Sequence, residues 1–202
     1  DAGRSFWKAL REAILELGFR ENSLIKAWYH LTDDNGRIIA MLATHVDDML
    51  WACEPEAQPV IDKLLAKFTL KCVESDSFRF CGRDITQDAD GTIHIRCNGT
   101  LEKIVPVNIN RGKRNTTDKA YPNEIAQLRS VVGSLAWVSR QCRADLSYAV
   151  SKLQSCSAAA TVGDLMFANK VLTEAIAAGD RGIDYIAGAV DWYSMVMVTV
   201  TD

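Results

Sequence analysis

The sequence lacks the features that mark several large classes of protein. It contains no run of about 18 apolar residues, so we predict no membrane-spanning helix and no membrane partner. Its first residues have neither an initiator methionine nor a signal-peptide pattern, and we expect the chain to be cut from a longer polypeptide. The composition, with 48% hydrophobic and 24% charged residues, is typical of a globular protein. Its length of 202 residues allows one large domain or two small ones.

The six cysteines are too scattered to form a recognisable metal site. None belongs to a C-x-x-C pair, and the three histidines do not cluster with them, so we expect no zinc. Some of the cysteines lie in apolar runs, as buried reduced thiols do. This pattern predicts an intracellular protein of the cytoplasm or nucleus.

Basic charge is not in excess over the whole chain. The formal net charge is −3, which argues mildly against a protein whose surface as a whole binds nucleic acid. From Arg96 to Lys119, however, six basic residues accompany two acidic ones. The overlapping segment 107–122 is either a solvated loop or a loop that contacts phosphate groups in a salt-sensitive way. In the second case Lys113 and Arg114 are the candidate nucleic-acid-binding residues.

The apolar periodicity predicts a mixed α+β protein. Period-3.6 patterns and turn residues predict helices over 4–17, 54–68, 100–105, 123–141, 145–159 and about 162–178. Apolar runs and alternating patterns predict strands over 24–32, 38–44, 49–52, 78–87, 92–96 and 195–201.

The most informative stretch is 38–52, where two apolar strands flank a turn that contains Asp47 and Asp48. Tight hairpin turns usually contain Asn-Gly or Asp-Gly. Two carboxylates about 4 Å apart repel each other by roughly 1 kcal/mol in water and about 4 kcal/mol at a protein surface. A divalent cation such as Mg²⁺ removes this cost, because it prefers carboxylate oxygens. We therefore hypothesise that Asp47 and Asp48 hold a catalytic metal.

The simpler interpretation of the same pair is a solvated loop tip. The chain contains its own control in Asp33-Asp34-Asn35-Gly36, which is typical of a plain hairpin turn. The apolar strands on both sides of Asp47 favour the metal hypothesis, since they place the pair on a rigid sheet.

The sequence around this turn resembles a polymerase motif. His45-Val46-Asp47-Asp48 is similar to the Tyr-x-Asp-Asp box of reverse transcriptases, which also lies between apolar strands. Arg4-Ser5-Phe6-Trp7-Lys8 resembles the Arg-Ala-Trp-Tyr stretch that precedes the box in copia-type LTR retrotransposon polymerases. Phe80-Cys81-Gly82-Arg83-Asp84-Ile85 resembles their Phe-Leu-Gly-x-x-Ile stretch. Segments 128–135 and 143–150 resemble helical motifs further along, so the ordered matches span nearly the whole chain.

The resemblance implies the RNA-directed DNA polymerase region of a Pol polyprotein, with an antiparallel palm sheet backed by helices. The implied partners are an RNA or DNA template with its primer and deoxynucleoside triphosphates. The implied cofactors are two Mg²⁺ ions, and the implied catalytic residues are Asp47 and Asp48. The resemblance also places four residues near nucleic acid: His45, Arg4, Phe80 and Gly82.

The same resemblance predicts three regions. Residues 1–98 would form a partial palm, 99–180 a helical thumb or connection, and 181–202 the start of a truncated ribonuclease H-like domain. Asp202 is similar in placement to the catalytic Asp on the first strand of that domain. It cannot act here without the other acidic residues of such a site.

Two departures from the family pattern limit what this chain is expected to do alone. Polymerases of this type need a further Asp from an upstream strand, which would lie before Asp1, so we expect no DNA synthesis by these residues alone. His45 stands where the family has Tyr, and a His ring titrates near neutral pH. Two alternatives stay open: a non-catalytic nucleic-acid-binding remnant, and an unrelated α+β structural or interaction domain.

Overall fold

The computed structural model describes residues 2–69 and 72–189. Within them the chain forms two antiparallel sheets of four strands each and six α-helices, which confirms the α+β class. The chain divides into two compact units, Asp1–Glu74 and Ser75–Asp202, and each unit contains one of the sheets. In the part of the chain that the structure describes, no helix has the length and apolar character needed to cross a bilayer.

The first unit is a four-stranded sheet with two helices. Its elements are α1 (Ala2–Glu16), β1 (Arg20–Glu21), β2 (Trp28–Thr32), β3 (Ile38–His45), β4 (Asp48–Cys53), a 3-10 turn (Pro55–Ala57) and α2 (Gln58–Leu65). The strands lie in the order β1-β2-β3-β4. The strands predicted over 38–44 and 49–52 agree with the observed β3 and β4 to within one residue at each end.

One face of this sheet packs against the helices. Tyr29 on β2 is paired with Leu42 on β3, and both are buried in a cluster with Leu10 and Ile14 of α1 and Leu64 of α2. Burial of each large apolar side chain stabilises the fold by about 1.5–3 kcal/mol. This packing fixes the register of the sheet, because a shift by one residue would turn the apolar set to the other face.

The opposite face of the sheet is only partly covered. Strand alternation places Trp28, Ala43 and Leu50 there, directly across from one another in the ladder, and all three are partly exposed. The same alternation brings His45 and Asp48 to the end of this face. We call the face defined by these five residues the open face.

The second unit combines the other sheet with the remaining helices. Its elements are β5 (Ser77–Phe80), β6 (Arg83–Gln87), β7 (Ile93–Arg96), α3 (Asn98–Leu101), α4 (Pro122–Gln141), a 3-10 turn (Ala144–Leu146), α5 (Ser147–Cys156), α6 (Val162–Ala177) and β8 (Ile183–Tyr185). The predicted single strand over 78–87 is a hairpin, since the chain reverses at Cys81 and Gly82. Both residues have positive φ, as a type I′ turn requires.

The division between the units differs from the predicted one at residue 98. The structure places it after Glu74, because the second sheet packs with the helical core that follows it: Cys97 and Leu101 are buried with Leu128 and Leu135 of α4. The predicted boundary at 181 also differs, since β8 pairs with β7 in the same sheet.

The predicted strand over 195–201 and Asp202 lie outside the described residues. The assignment of palm and thumb stays a prediction.

The segment 107–122 is anchored to α4, rather than forming only a solvated loop. Glu124 is fully buried and accepts hydrogen bonds from the backbone N–H groups of Tyr121 and Asn110, at 2.8 and 3.0 Å. Arg114 donates to both carboxylate oxygens of Glu124, at 2.9 and 3.1 Å. This guanidinium holds the pKa of Glu124 below its ordinary value of 4.5, against the opposing effect of burial.

Replacement of Glu124 by glutamine should lower the free energy of unfolding by about 3 kcal/mol at neutral pH. It leaves the Arg114 charge, which is only 13% exposed, without its partner. Because the pKa of Glu124 is lowered by folding, the wild-type carboxylate stabilises the fold fully above about pH 4.5. This stabilisation is lost as the pH falls through the folded-state pKa. Urea unfolding at neutral pH and at steps below pH 4.5 should therefore show a difference between E124Q and wild type that shrinks with acidity.

The matched control for this prediction is E174Q. Glu174 pairs with Lys170 at 3.7 Å, and its side chain is 66% exposed, so its loss should cost less than about 0.5 kcal/mol. Equal losses in E124Q and E174Q, or a constant difference at all pH values, would refute the role of Glu124 as a buried anchor.

Candidate metal and nucleic-acid site

The β3–β4 hairpin ends in a strained two-residue turn. His45 pairs with Asp48 as the last rung of the ladder, which leaves Val46 and Asp47 at the tip. Val46 has a φ of 57°, a conformation that is costly for a β-branched residue, by about 1–3 kcal/mol. Positive φ at the first position alone is the pattern of a type II′ turn, where glycine would be free of strain. The chain thus holds a costly backbone at the point where its acidic pair lies.

The two carboxylates at this tip are unused by the fold. Asp47 and Asp48 are both exposed, and among residues 2–69 and 72–189 neither side chain has a hydrogen bond or an ion pair. The same described residues contain no group of three His, Cys, Asp or Glu side chains arranged to hold a metal. The acidic pair is therefore a set of two free ligands that requires others from a substrate, from water or from further chain.

The control turn uses its acid differently. Asp33 accepts hydrogen bonds from the backbone N–H groups of Asn35 and Arg37, each at 2.9 Å, and a third from the Arg37 side chain at 3.2 Å. Asp33 thus stabilises its own turn, as Asx turns do. Within the described residues Asp47 and Asp48 form no comparable hydrogen bonds, so the two turns use their acids differently.

The other candidates of the first unit are also on the surface. His45 is exposed beside Asp48 at the end of the open face, so its ring is available to a ligand there. Arg4 is exposed on α1 and has no ion-pair partner in the described part of the chain. Neither side chain forms an ion pair within the described residues, and their role in binding stays a prediction.

Gly82 and Phe80 lie at the β5–β6 turn of the second unit. A Cβ atom on Gly82 would lie 2.9 Å from the indole ring of Trp137, so the backbone approaches this ring closely. The resemblance had placed Gly82 near nucleic acid, and that placement stays a prediction. Phe80, half-buried, is the last β5 residue before the turn and pairs with Arg83. The structure thus gives Gly82 a packing role whether or not nucleic acid binds nearby.

Replacement of Gly82 by alanine should destabilise the second unit by about 2–5 kcal/mol. A left-handed conformation costs an L-residue about 1–2 kcal/mol, and forcing atoms into the Trp137 contact adds about 1–3 kcal/mol. Gly91 is the control, because its φ is also positive at 92° but a Cβ there would meet only Ala187, at an ordinary 3.7 Å. Chemical unfolding measures the loss of stability in G82A and in G91A. The loss in G91A reports the backbone strain alone, and the additional loss in G82A reports the contact with Trp137. Equal losses would show that the Trp137 contact contributes nothing.

The two candidates of the basic segment differ in availability. Lys113 is exposed and has no ion-pair partner within the described residues. Arg114 is held by the buried Glu124, and its guanidinium lies 3.8 Å from the centroid of the Tyr121 ring. Glu124 lies three residues after Tyr121, which is the spacing of a capping box at the start of α4. This spacing is the signal in the sequence that could have revealed the anchor. Phosphate binding at this segment would therefore depend on Lys113 more than on Arg114.

Comparisons of the chain with protein-family models, with curated proteins and with solved structures found no match. The functional argument for this protein consequently depends on its own residues and geometry. Chemically, the arrangement offers two free carboxylates and a histidine at one exposed hairpin end, which suits a hard cation shared with an anionic substrate.

Proposed function

We propose that this chain belongs to an RNA-directed DNA polymerase of the copia retrotransposon type and carries its metal-binding hairpin. The observation that supports this most is the β3–β4 tip. Within the described residues the two adjacent carboxylates form no hydrogen bond or ion pair, and Val46 beside them has a strained backbone. Strain of this kind persists where the surrounding structure enforces it, and it is concentrated at functional sites.

The donor set at the tip fits Mg²⁺. This ion is usually bound by one or two carboxylates together with substrate phosphates and water, and rarely by a complete protein cage. Asp47 and Asp48 supply two carboxylates from a hairpin whose other face is packed against α1 and α2. Asp47 is the better candidate for direct coordination, with Asp48 close to the same ions.

Nucleotide transfer requires the primer 3′-oxygen to attack the α-phosphorus of the incoming nucleotide while the bond to pyrophosphate breaks. Bound Mg²⁺ ions would lower the pKa of the 3′-hydroxyl and stabilise charge on the leaving group. The chain's own part is to hold two negative charges at the tip of the β3–β4 hairpin and to present His45 beside them. The His45 ring would stack on or hydrogen-bond to the primer end. Arg4 and Lys113 would contact phosphate groups of the template and primer without reading sequence.

Metal binding at the tip is testable with Mn²⁺ as a paramagnetic probe. In the NMR spectrum of the isotope-labelled chain, substoichiometric Mn²⁺ should broaden the amide resonances of 45–48 and leave those of 33–36 sharp. The variant D47N should lose this selective broadening, since it removes a ligand charge. D34N should keep it, because Asp34 is an exposed turn residue of the control hairpin. Equal broadening at both turns, or none at either, would remove the metal-binding role of the tip.

A further inference from the structure

The second unit contains a buried pair of cysteines that the proposed polymerase chemistry does not use. The Sγ atoms of Cys97 and Cys142 lie 2.7 Å apart, and the residues are 1% and 5% exposed. Cys97 follows β7, and Cys142 ends α4. A disulfide bond is about 2.05 Å long, so the two sulfur atoms need only a small movement to bond. Other thiols have different partners: that of Cys53 donates to Gln58 and that of Cys156 to the Leu153 carbonyl.

The surroundings of the pair make its two thiols unequal. The hydrogen bond with Cys97 lowers the pKa of Cys142, and the guanidinium groups of Arg143, Arg96 and Arg83 lower it further, although burial opposes them. The same hydrogen bond and burial raise the pKa of Cys97. These opposite shifts favour the thiolate on Cys142 over Cys97. Thiolate is the reactive form of cysteine.

Solvent reaches the pair from the side of Cys142. A shallow, open cavity of about 520 Å³ is lined by Cys142 together with Asp145, Asp180 and Gly182, and Cys97 is not part of its lining. A small neutral oxidant can therefore approach the pair from the side of Cys142, whereas Cys97 does not line the cavity. A thiol with a lowered pKa at the wall of an open cavity, beside a second thiol that can resolve it, is the arrangement found in redox-sensitive proteins.

We propose that Cys97 and Cys142 form a dithiol site that hydrogen peroxide oxidises to a disulfide. The Cys142 thiolate attacks a peroxide oxygen, the O–O bond breaks, and the departing hydroxide takes a proton to become water. This leaves a sulfenic acid on Cys142. The Cys97 sulfur then attacks the Cys142 sulfur, the S–O bond breaks, and the hydroxide leaves as water with the Cys97 proton. In sum, two thiols lose two electrons and two protons, and one peroxide becomes two waters.

The bond would join the end of β7 to the end of α4 and close a loop of about 45 residues. A crosslink of this length restricts the unfolded chain, so the oxidised protein should melt roughly 5–10 °C higher than the reduced protein. The inference is independent of the polymerase proposal, because neither cysteine belongs to the tip.

The test treats the reduced wild-type chain with a small molar excess of hydrogen peroxide and blocks remaining thiols with N-ethylmaleimide. Digestion without reductant and mass spectrometry should find one linked peptide pair containing Cys97 and Cys142, with the higher melting temperature, both reversed by dithiothreitol. Recovery of both cysteines as N-ethylmaleimide adducts, or linkage chiefly through the exposed Cys72, would overturn the proposal. This measurement needs no substitution in the core.

Single substitutions test the order of the two steps. In C97S, which keeps a hydrogen-bonding group beside Cys142 but cannot resolve a sulfenic acid, dimedone should trap a sulfenic acid on Cys142 after peroxide treatment. In C142S, Cys97 should remain open to alkylation. The control C156A should form the 97–142 bond as wild type does, since the Cys156 thiol bonds to the Leu153 carbonyl. Dimedone on Cys97 in C142S, or its absence from Cys142 in C97S, would contradict the assignment of Cys142 as the first site of attack.

Discussion

The Asp47→Asn variant of a polymerase polypeptide that contains this chain should lose primer extension by roughly a thousandfold. The substitution is nearly isosteric, and the side chain is exposed and without a partner among the described residues, so folding should be unchanged. What it removes is one ligand charge at the proposed metal site. Metal ions stabilise transition-state charge by several kcal/mol, and each 1.36 kcal/mol corresponds to a tenfold change in rate. The measurement is the rate of Mg²⁺-dependent extension on a defined template and primer.

The matched control is Asp34→Asn, which changes an exposed aspartate in the other hairpin turn of the same sheet. It should extend primers at the wild-type rate. An unchanged rate in D47N would remove Asp47 from catalysis. If the wild-type polypeptide bound template and primer tightly and in a salt-dependent way but never extended them, the non-catalytic remnant would be the correct description. Extension by residues 1–202 alone would contradict our expectation that an upstream Asp is required.

Replacement of Arg143 by methionine should cost the second unit about 3–5 kcal/mol. The Arg143 side chain is 2% exposed and forms two hydrogen bonds of 2.9 Å with Asp145. It also donates to the carbonyl oxygens of Ala175 and Ala178 at the end of α6, at 3.0 and 3.2 Å. The Ala178 carbonyl also accepts from the backbone N–H of Arg181, at 3.1 Å, so Arg143 and this turn together cap the end of α6. Methionine keeps the apolar volume but removes the Arg143 donor from the Ala175 carbonyl and from the Asp145 carboxylate.

The control for this prediction shares the same acid. Arg181 also approaches Asp145, at 3.6 Å, but its side chain is 66% exposed. R181M should therefore change the free energy of unfolding by less than about 1 kcal/mol. Urea unfolding followed by circular dichroism measures both variants. A loss in R143M as small as that in R181M would show that the cap on α6 does not stabilise the unit.

The parts of the fold that follow from local signals were predicted from the sequence. The β3–β4 hairpin followed from two apolar runs on either side of a short polar turn. The start of α6 followed from the capping box of Thr161 and Asp164, in which the Asp164 carboxylate accepts from the Thr161 N–H at 2.8 Å. In both cases the residues that decide the structure are within a few positions of one another.

Other features depend on contacts that no local pattern contains. The β5–β6 hairpin was predicted as one strand, since its turn begins with Cys81 in place of the usual Asn or Asp. The division after Glu74 depends on burial of Cys97 and Leu101 against α4, which is distant in sequence. The role of Arg143 was missed because its acceptors, such as the Ala175 carbonyl, are 32 residues away.

The candidate site was predictable only in part, because some of its features follow from local patterns and others from the folded backbone. The position of Asp47 and Asp48 at a turn between strands followed from the apolar pattern. That neither acid serves its own turn, and that Val46 has positive φ, are properties of the folded backbone. These two properties distinguish the tip from the turn at Asp33.

The position of a bound metal relative to the tip tests the central claim most directly. The measurement is the anomalous diffraction of Mn²⁺ in a crystal of the polymerase polypeptide with template, primer and a non-hydrolysable nucleotide. Our account predicts a Mn²⁺ peak about 2.0–2.3 Å from a carboxylate oxygen of Asp47, with the primer 3′ end beside it. A complex with Mn²⁺ and the primer end bound elsewhere, and with Asp47 in contact only with solvent, would contradict it.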